Sequence, residues 1–211
     1  MWAGVALITL LVTIGVGVAW LQPDRKHKRR MRRFPLAATI ADAATNTDVR
    51  VSGTLAYADG ATPLTAPFSR RECVAWRVIV VAGEGKNWQE ILREEEAVDF
   101  ILQDESGRAR VDGSFLTLAL HHDVPNERRI FEPASPELLA FCEARGIETS
   151  RRSLRMHEGT LVLGEVVTVC GQGRFENDPN GEGYRGGKTV LRVGPLASGE
   201  LLVTDDASLA K

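Results

Sequence analysis

At 211 residues the chain is long enough for one domain with a proper core. Its 26 Lys and Arg nearly balance 28 Asp and Glu, yet seven of the basic residues crowd into positions 24–33, leaving a body of 19 basic and 27 acidic residues. So acidic a body excludes the broad phosphate-neutralising face that a nucleic-acid partner needs. Cys73, Cys142 and Cys170 form no CxxC pair and sit among apolar neighbours, the pattern of reduced packing residues.

The chain opens on an apolar run, residues 3–21, with no charge between Met1 and Gln22. As a helix such a run is about 30 Å long, enough to cross a bilayer core. Trp2 and Trp20 fall near its ends, where amphipathic rings favour the headgroup layer. Arg25, Lys26, Lys28, Arg29, Arg30, Arg32 and Arg33 follow directly. A cleaved signal peptide carries its charge before the apolar run and small residues after it. The opposite order here predicts a retained anchor, with the N-terminus outside and the body in the cytoplasm if the membrane is a bacterial inner one. In a eukaryote the same anchor would suit the mitochondrial outer membrane. The seven cations are the expected lipid contacts, at about 1 kcal/mol each near an anionic surface.

Thr39 and Asp42 have the form of a helix start, predicting a short helix to about Thr45. Residues 49–57 alternate as a strand and run into an Asp59-Gly60 turn. A short extended piece, residues 64–68, ends near Pro67. Residues 73–82 read as a central strand, apolar on both faces except at Arg77. A returning strand is expected from Trp88, with Glu94, Glu95 and Glu96 as a solvated face. Residues 98–112 form a hairpin about an Asp104-to-Gly107 turn. Residues 115–120 alternate as a strand, and residues 121–132 read as a loop. Ser135-Pro136-Glu137 starts a helix that Gly146 stops. Five short strands follow at 153–158, 161–163, 166–171, 190–193 and 201–204, with turns at Gly164-Glu165 and Ser198-Gly199. Many short strands with one or two helices predict a mainly β fold, a small OB-like closed or half-closed barrel.

Several fragments together resemble the GIDE or BAM (beside-a-membrane) domain: Val51-x-Gly53, Ala66-Pro67-Phe68-Ser69, Cys73-Val74-Ala75-Trp76-Arg77, the stretch from Phe100 through Asp104, Ser106, Gly107 and Val111 to Asp112, then Glu158 and Gly164-Glu165. The resemblance covers residues 37–204. That family is best known from mitochondrially anchored E3 ubiquitin ligases and also occurs in prokaryotes. Those ligases carry a second span and a RING finger, which needs eight Cys or His ligands for two zinc ions. Three scattered cysteines cannot supply them, so the resemblance implies the membrane-proximal β domain alone, a partner-binding or regulatory module. Cys73, Trp76, Phe100, Asp104, Gly107, Val111 and Asp112 then have structural roles. Asp104 would accept local backbone hydrogen bonds and Gly107 would take positive φ, while Gly53 and Gly171 suit bends or close backbone contact.

Candidates for chemistry are sparse. His121-His122-Asp123 is the one histidine cluster outside the basic run, and neighbouring strand residues face opposite ways. Cys73 and Cys170 lack an activating base nearby in sequence. Residues 177–189 imitate an EF-hand loop without its final Glu, and Gly187-Lys188-Thr189 imitates the end of a P-loop without the first Gly or the following helix. They read as a long hairpin loop whose tip could meet a partner.

The expected organisation is an anchor (1–22), a polybasic linker (23–36), a GIDE/BAM-like β domain (37–206) and a tail (207–211). The expected function is non-catalytic protein interaction at the membrane surface, with the lipid bilayer and a membrane-associated protein as partners. No cofactor, metal or nucleic acid is expected. The alternatives are a hydrolase using the His121 region and a component of the E3 ligase family.

Overall fold

The computed structural model describes residues 22–84, 87–121, 124–128, 135–148, 153–178 and 189–210. The apolar run 3–21 lies outside these residues. Helix α1 (Gln22–Met31) leads into the strands β1 (Thr47–Tyr57), β2 (Leu64–Thr65), β3 (Glu72–Cys73), β4 (Ala75–Glu84), β5 (Asn87–Ala97), β6 (Phe100–Gln103) and β7 (Arg108–Val111). Then come a 3-10 turn (Gly113–Phe115), β8 (Leu116–Leu118), β9 (Val124–Arg128), α2 (Pro136–Glu143), β10 (Ser153–Leu161), β11 (Val166–Asn177), β12 (Thr189–Gly194), β13 (Leu201–Thr204) and a 3-10 turn (Ala207–Leu209).

The fold is mainly β, with a closed five-stranded barrel. Strands run β1-β6-β7-β12-β11, and β1 closes the ring by pairing antiparallel with β11 from Thr47↔Gly173 to Thr54↔Val166. β7 and β12 pair in parallel; the other four pairings of the ring are antiparallel. Alternation fills the interior: Val49, Val51 and Leu55 meet Phe100, Leu102, Val111, Val167, Val169, Leu191 and Val193, all buried. Gly53 and Gly171 stand where the expected close approach occurs. A Cβ on Gly171 would lie 2.4 Å from the Gly194 carbonyl oxygen and 2.7 Å from Val193.

Two long connections, 58–99 and 112–165, carry a second sheet in the order β5-β4-β10-β9. β4 is its centre, as its two apolar faces require. On one face Trp76, Val78 and Val80 pack with Leu154, Met156 and, from α2, Leu138, Phe141 and Cys142. Ser135 caps α2 by accepting the Leu138 amide at 3.2 Å, and Gly146 ends the helical segment at φ +67°.

Arg77 is fully buried on the opposite face of β4. It donates to the Leu118 and Leu120 carbonyls at 2.5 and 2.9 Å, stitching the second sheet to the end of β8 and the residues just after it. The Leu118 amide binds Glu95 at 3.2 Å, and the Thr204 hydroxyl binds the Ala119 carbonyl at 2.6 Å. A buried charge persists where such hydrogen bonds replace water.

Other elements differ from their expectation. Residues 39–42 form a turn, not a helix: Thr39 and Asp42 do exchange hydrogen bonds, but the Ile40 and Ala41 amides go to Asp104 and Ser106 at 2.8 and 3.0 Å. Glu94 and Glu95 belong to β5, half-buried and bonded to Arg145 and Arg93, because the returning strand runs on to Ala97. The expected loop 121–132 contains β9, an edge strand that tolerates Pro125. The pieces at 153–158 and 161 are one strand, and the strand near residue 115 begins only after a 3-10 turn. Asp104 does hold its turn, accepting from the Ser106 amide and hydroxyl and the Gly107 amide at 2.6–2.9 Å. Gly107, however, is not at positive φ, and its Cβ would meet only Ile40 at 3.8 Å.

These two glycines should therefore respond oppositely to a methyl group. Gly171→Ala is expected to cost about 1–3 kcal/mol by overpacking, and Gly107→Ala to stay within about 0.5 kcal/mol; thermal unfolding of the two variants checks both.

Candidate membrane-facing site

The basic run is helical over Gln22–Met31 and lies against the barrel. Alternation along β1, β11 and β13 points Arg50, Ser52, Thr168, Cys170, Leu202 and Thr204 away from the barrel interior. Part of that outer surface is apolar, and α1 covers it. Met31, fully buried, packs with Cys170, Leu202, Leu196 and Leu209, with Phe34 beside them. The Cys170 thiol is pushed up to about 12 by this burial, with Arg50 opposing, and it donates weakly to the Met31 carbonyl at 3.9 Å.

Two cations hold the helix from its flanks. Lys28 pairs with Asp206 at 3.0 Å. Arg30 pairs with Glu200 and also donates to the Ser198 hydroxyl at 2.9 Å. Partial desolvation would raise the Asp206 carboxyl, but hydrogen bonds from Ser208 and Lys28 outweigh it and hold it down at about 2. The Arg30 hydrogen bond keeps Glu200 below the usual carboxylate range. Arg25, Lys26, Arg29, Arg32 and Arg33 remain exposed; Arg32 reaches the Ser208 hydroxyl at 3.4 Å. The seven cations thus divide into two that fasten the helix and five that face solvent.

The sequence marks Ser198 only as part of a turn and gives no sign of Glu200, Asp206 or Ser208 as partners of the helix, since each lies more than 160 residues from its partner. The segment 207–211, read as a tail, contributes Leu209 (1% exposed) to the same cluster.

The residues of the family resemblance act as braces. Cys73, Trp76, Phe100 and Val111 are buried. Glu158, also fully buried, accepts the Phe68 and Ser69 amides at 2.7 and 2.9 Å, joining motif fragments 90 residues apart. Burial and the Glu158 charge push the Cys73 thiol up to about 11. Asp112 caps the 3-10 turn after β7 through the Ser114 amide and lies 3.8 Å from Arg192.

Around β6, β7, β11 and β12 the arginines are met by acids. Arg108 faces Asp59 and Asp178, Arg110 faces Asp99, Arg192 faces Asp112 and Glu176, and Arg174 faces Glu176, all within 3.0–4.0 Å.

His121 lies after β8. Its Nδ1 is 2.9 Å from Asp205, whose carboxylate also accepts the His121 amide. The ring is 61% exposed. Nearby Thr204 is buried with its hydroxyl committed to Ala119, so it is not presented to a substrate. His122, Asp123 and residues 179–188, which hold most of the EF-hand and P-loop imitations, lie outside the described residues. Among the described residues no group of three or more His, Cys, Asp or Glu could hold a metal ion, and no helix is long and apolar enough to cross a membrane.

No protein-family model matches the chain, and neither does any curated protein or solved structure.

Two outcomes follow from the docking geometry. Truncating Met31 to Ala removes its core contacts at about 2–5 kcal/mol, so modification of Cys170 by a thiol reagent, followed by peptide mass spectrometry, should accelerate at least about tenfold; an unchanged rate would mean the helix does not shield it. Glu200 and Asp206 titrate below their unfolded values, so their stabilisation is complete above about pH 5 and fades as the pH falls toward 2. The urea midpoint of Asp206→Asn should accordingly lose less than that of the parent chain over the same acid interval.

Proposed function

We propose that this protein is a single-pass, membrane-anchored module whose β domain binds partner proteins beside the bilayer and performs no chemistry of its own. The observation that carries the reading is the docking of α1. The apolar run 3–21 ends where this helix begins, and Met31, Lys28 and Arg30 fasten the helix to the barrel. Anchor and domain would be joined by a rigid element, with five cations turned outward to anionic lipid.

The barrel is OB-like in this reading, from its five closed strands and single parallel pair. The GIDE/BAM resemblance fits the same picture, since the residues that carry it serve as braces and core. A ligase label would rest on the family name alone, because the cysteines cannot build a RING. A nucleic-acid partner is disfavoured by the acids that face Arg108, Arg110, Arg174 and Arg192. In a bacterial inner membrane the body would be cytoplasmic by the positive-inside rule.

A hydrolase reading has one observation behind it, the His121–Asp205 pair, which resembles the orienting half of a catalytic triad. Committed hydroxyl chemistry at Thr204 weighs against it.

The full chain should stay with membranes through alkaline carbonate washing. Added protease should digest the body in inverted vesicles but not in intact spheroplasts; digestion in spheroplasts would reverse the proposed topology. His121→Ala should leave the thermal midpoint within about 2 °C, as for a surface substitution, and leave capture of partners by the full chain unchanged.

A further inference from the structure

We infer that α1 lies flat between barrel and bilayer, so that one defined face of the domain, formed by α1 with the flanking turns 197–199 and 207–208, rests on anionic phospholipid. The inference builds on the proposed membrane anchoring and specifies which surface meets the lipid.

The phase of the helix carries it. At about 100° per residue, Arg25, Arg29 and Lys26 of α1 fall in that order within an arc of about 100°, and Arg32 and Arg33 follow in the turn after the helix. All five are exposed. The centre of the arc lies opposite the stripe of His27 and Met31, and Met31 is the residue buried against the barrel. Lys28 and Arg30 occupy the two borders, where they meet Asp206 and Glu200. The helix therefore has one face for the protein, one for anions, and an ion pair along each seam.

Charge points the same way. The body carries an excess of eight acidic residues, which an anionic membrane would repel. Glu200 and Asp206, the carboxylates that pair with α1 among the described residues, are already neutralised by Arg30 and Lys28. The exposed residues flanking the seams, Ala197, Ser198, Gly199, Ala207 and Ser208, are small and uncharged, so nothing in those turns repels a headgroup.

The test uses the full chain in nanodiscs containing phosphatidylcholine with or without about 30% phosphatidylserine, an anionic lipid of the kind that basic helices bind. Single fluorescent labels are placed at Ser198→Cys, Ser208→Cys and, on the second sheet, Gln89→Cys; the native cysteines are buried. In anionic discs, iodide quenching at 198 and 208 should be at least about threefold weaker than at 89, and the difference should shrink in neutral discs or at high salt. The contrast should vanish in the Arg25→Gln/Arg29→Gln/Arg33→Gln variant and persist in Arg174→Gln/Glu176→Gln, which removes an exposed ion pair away from α1 at constant net charge. Equal quenching at all three sites in a chain that still co-purifies with discs would overturn this inference and leave the anchor standing. Failure of the chain to enter discs at all would overturn the anchor itself.

Discussion

The burial of Met31 is the contact on which the arrangement turns. Without it, α1 would be a ten-residue, highly charged segment, too short to hold helical structure by itself. Burying such a side chain is worth about 1.5–3 kcal/mol, while each partly exposed ion pair adds about 0–1 kcal/mol. The apolar contact thus supplies most of the affinity, and Lys28–Asp206 and Arg30–Glu200 fix the rotation of the helix about its axis. That rotation decides which cations stay exposed, so it links the packing at Cys170 to the electrostatics of the opposite face.

The receiving surface depends in turn on barrel closure. β11 is shared: it pairs with β1 along one edge and with β13 and then β12 along the other. Its inward residues are Val167 and Val169 followed by Gly171 and Gly173, which let neighbouring backbone come close. Its outward residues include Cys170, over which Met31 sits. The second sheet is tied on by a buried charge as well as by apolar contact: Arg77 donates to the Leu118 and Leu120 carbonyls. Within the second-sheet unit, Glu158 of β10 accepts the Phe68 and Ser69 amides of the turn between β2 and β3. Removing one partner from such a bond leaves a buried polar group exposed to an apolar surround, which is why these positions specify the fold sharply.

How much was legible in sequence depended on whether the deciding contacts were local. The alternation of Val49, Val51 and Leu55, the Ser135-Pro136 start of α2 and the strand at 201–204 are local patterns, and they appear in place. Thr39 and Asp42 show the limit: the same side-chain exchange that caps a helix also closes a turn, and the choice lies with Asp104 and Ser106, more than 60 residues away. β9 was hidden because an edge strand need not alternate and can carry proline. The site was half legible. Seven cations in a row announce a charged segment, but density of charge masked the helical phase, and the carboxylates that sort the cations lie some 170 residues downstream. A single methionine at the end of a basic run was the only available sign that one side of the segment is apolar.

The most direct test of this account is amide hydrogen exchange of residues 22–33 in the full-length chain. A docked α1 predicts protection that approaches that of β13 and falls sharply in Met31→Ala. Exchange at the rate of an unstructured peptide in the unmodified chain would contradict it, because a segment that opens freely could neither shield Cys170 nor orient the barrel.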